Sequence, residues 1–104
     1  MTVPVLVNLQ NSQIIGRIDK PVVCIGRAIS YCDIVIENFD VSRAHCNILC
    51  REDSNYFIVD TQSTNRTSVG DTILKANEEY PLKNHDYIKI SNEIFLFVIP
   101  QDEV

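Results

Sequence analysis

The sequence predicts an all-β domain, a sandwich of two twisted, mostly antiparallel sheets with about eleven strands. Short runs rich in Val, Ile, Tyr, Phe and Thr recur along the 104 residues between turn signals, as they do in sandwiches and barrels. No window long enough for a helix keeps an apolar period of about 3.6 residues. Most connectors between the runs are short and polar, so sequence neighbours should pair antiparallel.

In chain order the first candidate strand is Val3–Leu9, dense in Val and Leu, and Asn11-Ser12 turns it into Gln13–Ile18. Val22–Ile25 and Asp33–Ile36 follow as β-branched runs. Ala44–Cys50 and Tyr56–Asp60 flank the polar connector Glu52-Asp53-Ser54-Asn55, and Ser68–Val69 and Thr72–Leu74 flank Gly70-Asp71. Tyr80–Leu82 reaches Tyr87–Ile90 through a connector that contains Lys83-Asn84, and Ser91-Asn92 leads into the last strand, Glu93–Ile99. Three longer polar stretches, Gly26–Cys32, Glu37–Arg43 and Thr61–Thr67, carry three of the five arginines together with clustered Ser, Thr and Asn. Function sits preferentially on loops held by a rigid scaffold, so candidate sites are sought there.

At this length the chain is one domain, expected over 1–100, with 101–104 as the start of a polar acidic tail or linker. A domain of this size buries roughly 60–65% of its unfolded surface, enough for a core without staples. The formal net charge of −5 and the scattering of the 9 basic residues argue against a nucleic-acid or anionic-membrane partner, because phosphate-rich surfaces recruit clustered Lys and Arg. The longest apolar run, Ile94 to Pro100, is of strand size, well short of the roughly 20 residues of a membrane helix. The 4 cysteines, Cys24, Cys32, Cys46 and Cys50, follow no secretory leader, form no C-x-x-C pair and match no common finger spacing. They read as small core residues kept reduced in an intracellular compartment, with no metal and no cofactor.

From the residues alone, the three polar loops offer Gly26-Arg27, Ser42-Arg43-x-His45 and Ser63-Thr64-Asn65-x-Thr67. A guanidinium fork, a hydroxyl, an amide and backbone N–H groups are what a phosphate or carboxylate needs. The same residue types also form turns and solvated loops, so spacing leaves both readings open. No paired carboxylates, Ser-His-Asp set or metal-ligand spacing accompanies them, and no catalytic residue is assigned.

Gly26-Arg27, Cys32-Asp33-Ile34-Val35-Ile36, Val41-Ser42-Arg43-Ala44-His45, Asp60, Ser63-Thr64-Asn65, Thr67, Leu82 and Asp86-Tyr87-Ile88 occur in the order and approximate spacing of the forkhead-associated (FHA) signature, so the stretch from about Val22 to Val98 resembles that family. The resemblance implies an eleven-stranded FHA/SMAD-like β-sandwich that binds phosphothreonine peptides on the loops at one end. Carried over, Arg27 would contact the phosphate, Ser42 would donate its hydroxyl and backbone N–H, Asn65 would hold the peptide backbone, and Thr64 and Arg43 would lie at the same site. Gly26 and His45 would support the loops. Many members have Gly after the Asn where this chain has Arg66; if that position needs a positive φ, Arg carries a steric cost. Asp40 adds a negative charge near the same loops. An FHA domain that begins near Met1 and runs into an acidic tail resembles the amino-terminal module of nuclear DNA-damage checkpoint mediators, which implies a nuclear location.

The two ends of the chain carry a second expectation. In Val3–Val7 and Ile94–Ile99 apolar residues occupy both parities, although a strand covered on one face should alternate. The first and last strands of the family are neighbours, so the two excesses would merge into an outward apolar patch, with Val5, Leu6, Phe95 and Phe97 as candidates for a homodimer contact. Two functions therefore compete: a phosphothreonine reader, and an FHA scaffold that self-associates with weak or absent phosphothreonine binding.

Overall fold

A computed structural model describes residues 3–101 and contains eleven strands and one short 3-10 turn. The strands are β1 (Val5–Asn8), β2 (Gln13–Arg17), β3 (Val22–Gly26), β4 (Ile34–Val35), β5 (Cys46–Arg51), β6 (Asn55–Asp60), β7 (Thr67–Val69), β8 (Thr72–Ile73), β9 (Tyr80–Leu82), β10 (Tyr87–Ile90) and β11 (Glu93–Val98). They form a six-stranded sheet in the order β2-β1-β11-β10-β7-β8 and a five-stranded sheet in the order β4-β3-β5-β6-β9. The all-β sandwich read from the sequence is the observed fold. Of the expected acidic tail, 102–104 lie outside the described residues.

Pairing is antiparallel throughout except between β3 and β4, where Ile25 lies beside Ile34 and Gly26 beside Val35 in parallel register. Parallel neighbours usually need a crossover of a dozen or more residues. Here only two residues of β4 pair, and the intervening loop doubles back on itself through the Tyr31 and Cys32 N–H groups, which both donate to the Ala28 carbonyl. Ala44 and Asp33, expected in strands, belong instead to loops. The Ala44 carbonyl accepts the Thr61 hydroxyl at 2.8 Å, and the Asp33 carboxylate accepts the Cys24 N–H at 2.8 Å.

The core lies between the sheets. Leu6, Ile88, Ile90, Phe95 and Phe97 come from one side and Val23, Ile25, Ile48 and Ile58 from the other, all essentially without solvent contact. Tyr56 meets Phe97 edge-on with ring centroids 5.5 Å apart, the arrangement favoured by aromatic quadrupoles. Each such side chain contributes roughly 1.5–3 kcal/mol by burial.

β1 and β11 are neighbours, with Val5 opposite Val98 and Val7 opposite Leu96, as the apolar ends led us to expect. The side facing outward differs from the expectation. Leu6, Phe95 and Phe97 point into the core, at 0%, 1% and 0% exposure, and Val5 alone of the four candidates is on the outer side. The outward row consists of Ile14, Val7, Leu96 and Tyr87, cross-strand partners from β2, β1, β11 and β10. When both parities of a strand are apolar, the period-2 signal that tells inside from outside is lost.

Candidate anion-binding site

Loops 27–33, 36–45 and 61–66 meet at one end of the sandwich, joined by hydrogen bonds that cross from loop to loop. The Arg27 N–H donates to the Ser42 carbonyl at 3.0 Å and the Ala28 N–H to the Arg43 carbonyl at 3.1 Å. Such contact requires that β3 end on a residue without a side chain: a Cβ on Gly26 would overlap the Arg43 carbonyl oxygen. Arg27 Nε donates to the Val41 carbonyl at 3.1 Å, which fixes the guanidinium and leaves its two Nη groups for another acceptor.

Ser42 links the second loop to the third, since its Oγ accepts the Thr64 N–H at 3.0 Å and keeps its own proton to donate. Asn65 Nδ2 donates to the Asp40 carbonyl at 2.8 Å, so the amide stands against the loop that carries Ser42. Arg27, Ser42, Thr64 and Asn65 are thus held by one network, with Ser42 and Arg27 half-buried and Thr64 and Asn65 exposed. Arg43 is exposed, and its carbonyl, rather than its guanidinium, takes part in the loop joint.

His45 is fully buried behind this surface. The Ser42 N–H can only donate, so Nδ1, 3.0 Å away, accepts; Nε2 then carries the proton and donates to the Arg66 carbonyl at 2.8 Å. One ring in one tautomer therefore spans the second and third loops. Asp60, at the end of β6 and 2% exposed, accepts from the Ser63 N–H at 3.1 Å, from the Thr67 hydroxyl at 2.7 Å and from the Ser63 hydroxyl. A buried carboxylate with three donors organises the third loop from below. Burial, and then the Asp60 charge, push the neighbouring Cys46 thiol well above its ordinary range, so that it remains a thiol.

Arg66 has φ of 69°, a left-handed conformation that disfavours side chains, so the cost foreseen for this position is present. The conformation aims the Arg66 carbonyl at His45 Nε2 and at the Ser91 N–H.

Two features had escaped the sequence reading. Phe39 is 94% exposed, with the Arg27 guanidinium carbon 6.0 Å from its ring centroid, and a cavity of about 430 Å³ is lined by Arg27, Glu37, Asn38 and Phe39. The available signal was a lone aromatic residue inside a polar loop. Asn38 Nδ2 donates to Glu93 Oε2 at 2.7 Å and to Asn92 Oδ1 at 3.0 Å, anchoring the second loop to the β10–β11 turn. A contact across 54 and 55 positions leaves no local pattern to read.

The FHA domain family model matches residues 23–91. Among solved structures, Mycobacterium tuberculosis EmbR in complex with a low-affinity phosphopeptide superposes with a TM-score of 0.86 at 26% identity, over 100% of this chain and 26% of that one. This chain therefore spans about a quarter of EmbR. The MEK1 FHA domain in complex with a phosphothreonine peptide of HOP1 gives a TM-score of 0.78 at 30% identity, over 94% of this chain and 97% of that one. The FHA domain of CT664 from Chlamydia trachomatis shares the fold, with a TM-score of 0.82 at 20% identity over 96% and 98% of the two chains. A search of curated proteins finds no match.

Proposed function

We propose, for a chain that belongs to the FHA domain family, that the loop-bearing end holds partner proteins through phosphothreonine and performs no chemistry on them. The observation that carries the reading is the loop-to-loop network joining Arg27, Ser42, Thr64 and Asn65. The Arg27 Nη groups meet phosphate oxygens, the Ser42 hydroxyl donates to a third, and the exposed amide of Asn65 holds the backbone beside the phosphothreonine. A phosphate near −2 at neutral pH draws the guanidinium strongly, while neutral donors fix its orientation. The phosphothreonine and phosphopeptide complexes of the MEK1 FHA domain and EmbR support this reading.

The test is titration with a phosphothreonine peptide library beside its unphosphorylated twin. Binding that needs the phosphate and is lost in Arg27→Ala supports the reader. We place the domain in a nuclear DNA-damage-response protein on family resemblance; a tagged full-length chain that stays outside the nucleus overturns that placement.

A second reading, an FHA scaffold that self-associates, is favoured by the apolar row Ile14, Val7, Leu96 and Tyr87 on the outer face of the six-stranded sheet. Outward apolar patches mark interaction surfaces, and a second copy would present two peptide sites. A dimer in sedimentation without phosphate-dependent binding would favour the scaffold.

A further inference from the structure

The fold places two of the supposed core thiols side by side. Cys24 in β3 and Cys32 at the end of the Arg27 loop lie with their sulfurs 3.4 Å apart, both half-buried, whereas Cys46 is fully enclosed. The segments that carry them are already fastened together: the Asp33 N–H donates to the Cys24 carbonyl at 2.9 Å and the Cys24 N–H to Asp33 Oδ2 at 2.8 Å. A disulfide needs its sulfurs at about 2.05 Å, a closing movement of roughly 1.4 Å.

Cys32 is also part of the joint between the phosphate-facing loops. Its Sγ lies 3.0 Å from the Arg43 carbonyl oxygen, to which the thiol donates. The same carbonyl accepts the Ala28 N–H and is the group against which Gly26 packs. A sulfur drawn toward Cys24 leaves that carbonyl, at the point where the loop of Arg27 is fastened to the loop of Ser42.

We infer that Cys24 and Cys32 are the site of a reversible intrachain disulfide whose closure weakens phosphothreonine binding by withdrawing Cys32 from the Arg43 carbonyl. The effect on binding rests on the function proposed above; formation of the bridge does not. With hydrogen peroxide as oxidant, the Cys32 sulfur attacks one peroxide oxygen, the O–O bond breaks, and Cys32 becomes a sulfenic acid as one water leaves. The Cys24 sulfur then attacks the sulfenic sulfur, the S–S bond forms, and the displaced hydroxyl leaves as a second water with the Cys24 proton. Two thiols lose two electrons in all, and peroxide gains them. The Cys24 thiol donates to the Cys32 sulfur, a bond that steadies negative charge on Cys32 and assigns the first attack to it; burial, and then that bond, push the Cys24 thiol up to about 12, so bridging is faster as pH rises.

The full chain, reduced with dithiothreitol and then exposed to hydrogen peroxide, tests both parts. Peptide mapping after alkylation should show Cys24 joined to Cys32 with loss of two hydrogens, and Cys46 and Cys50 still alkylated. Affinity for a phosphothreonine peptide should fall roughly fivefold, about the weight of one neutral hydrogen bond, and return with dithiothreitol. Cys24→Ser leaves the Cys32 thiol on the Arg43 carbonyl and should bind as the reduced protein does, before and after peroxide. Cys24 and Cys32 both remaining alkylatable, or a bridge to another cysteine, overturns the site. A Cys24–Cys32 bridge that leaves affinity within about twofold overturns the coupling. A reduced protein that binds no phosphopeptide overturns the proposed function and the coupling together, while the peptide map still decides the bridge.

Discussion

The loop-bearing end and the outer face of the six-stranded sheet are built on opposite principles. At the loop end, positions are fixed by directional bonds between segments distant in sequence: His45 to Arg66, Ser42 to Thr64, Asn65 to Asp40. A ligand there meets donors already held in place, so little ordering cost remains. On the outer face, Ile14, Val7, Leu96 and Tyr87 are aligned by strand register alone, and burial of that row is non-directional. Loss of one bond should therefore damage the first region sharply. The second should respond to charge more than to the loss of any one side chain.

The largest expected effect separates the two faces of one strand. Phe97→Ala should lower stability by about 3–5 kcal/mol in denaturant unfolding, because it opens a cavity between the sheets beside Tyr56. Leu96→Asp, one residue away on the outer side, should leave the protein folded and abolish any dimer seen in sedimentation at micromolar concentration. Leu96→Asp that unfolds the chain, or Phe97→Ala that does not weaken it, would reverse the assignment of faces.

Much of this was legible in the sequence, for reasons that differ by region. All eleven strands could be placed because turn chemistry punctuates them: Gly70-Asp71 sits between β7 and β8, and Ser91-Asn92 between β10 and β11. That Gly26, Arg27, Ser42, His45, Thr64 and Asn65 gather on neighbouring loops was legible only through the order and spacing they share with the FHA signature, because their residue types alone fit turn formers as well as an anion site. Which parity of β1 and β11 faces inward was not legible, since Val5, Leu6, Val7, Phe95, Leu96 and Phe97 are all apolar. The parallel β3–β4 pair was equally hidden, because it follows from a loop that doubles back, and with it the proximity of Cys24 to Cys32.

Arg27→Ala comes next in size and isolates the loop end. Removing a fixed charge partner typically costs about 2–5 kcal/mol, enough to take a micromolar phosphopeptide below detection in calorimetry. Stability should fall by no more than about 1 kcal/mol, the weight of the lost Arg27 Nε bond to the Val41 carbonyl, and any sheet-face association should be unchanged. A variant that still binds within about tenfold of the parent would mean that Arg43 or Arg66 carries the phosphate instead.

Arg66→Gly probes the strain on which the loop network is built. Relief of the left-handed conformation should raise stability by about 0.5–1 kcal/mol in denaturant unfolding, because the added freedom of Gly in the unfolded chain offsets part of the gain. Phosphopeptide affinity should change by less than about threefold, as it is the Arg66 carbonyl, kept in the variant, that meets His45. A larger loss would give the Arg66 guanidinium a part in binding.

The smallest expected effect lies at the base of the Arg27 loop, in an exposed ion pair. Lys20 Nζ lies 2.6 Å from Asp33 Oδ1, and this bond, followed by that of the Cys24 N–H, holds the Asp33 carboxyl below its ordinary 3.8. A lowered carboxyl contributes stability above its unfolded value and loses it as pH falls through the folded one. Lys20 is raised above 10.5, chiefly by the same bond, so its share is complete below that value and is lost only in strong alkali. The difference in melting temperature between the parent and Asp33→Asn should therefore be flat from about pH 5 to pH 9 and shrink below about pH 4. A difference that grows with acid would mean that Asp33 is destabilising as a carboxylate, and that the hold of β4 on β3 comes from the backbone alone.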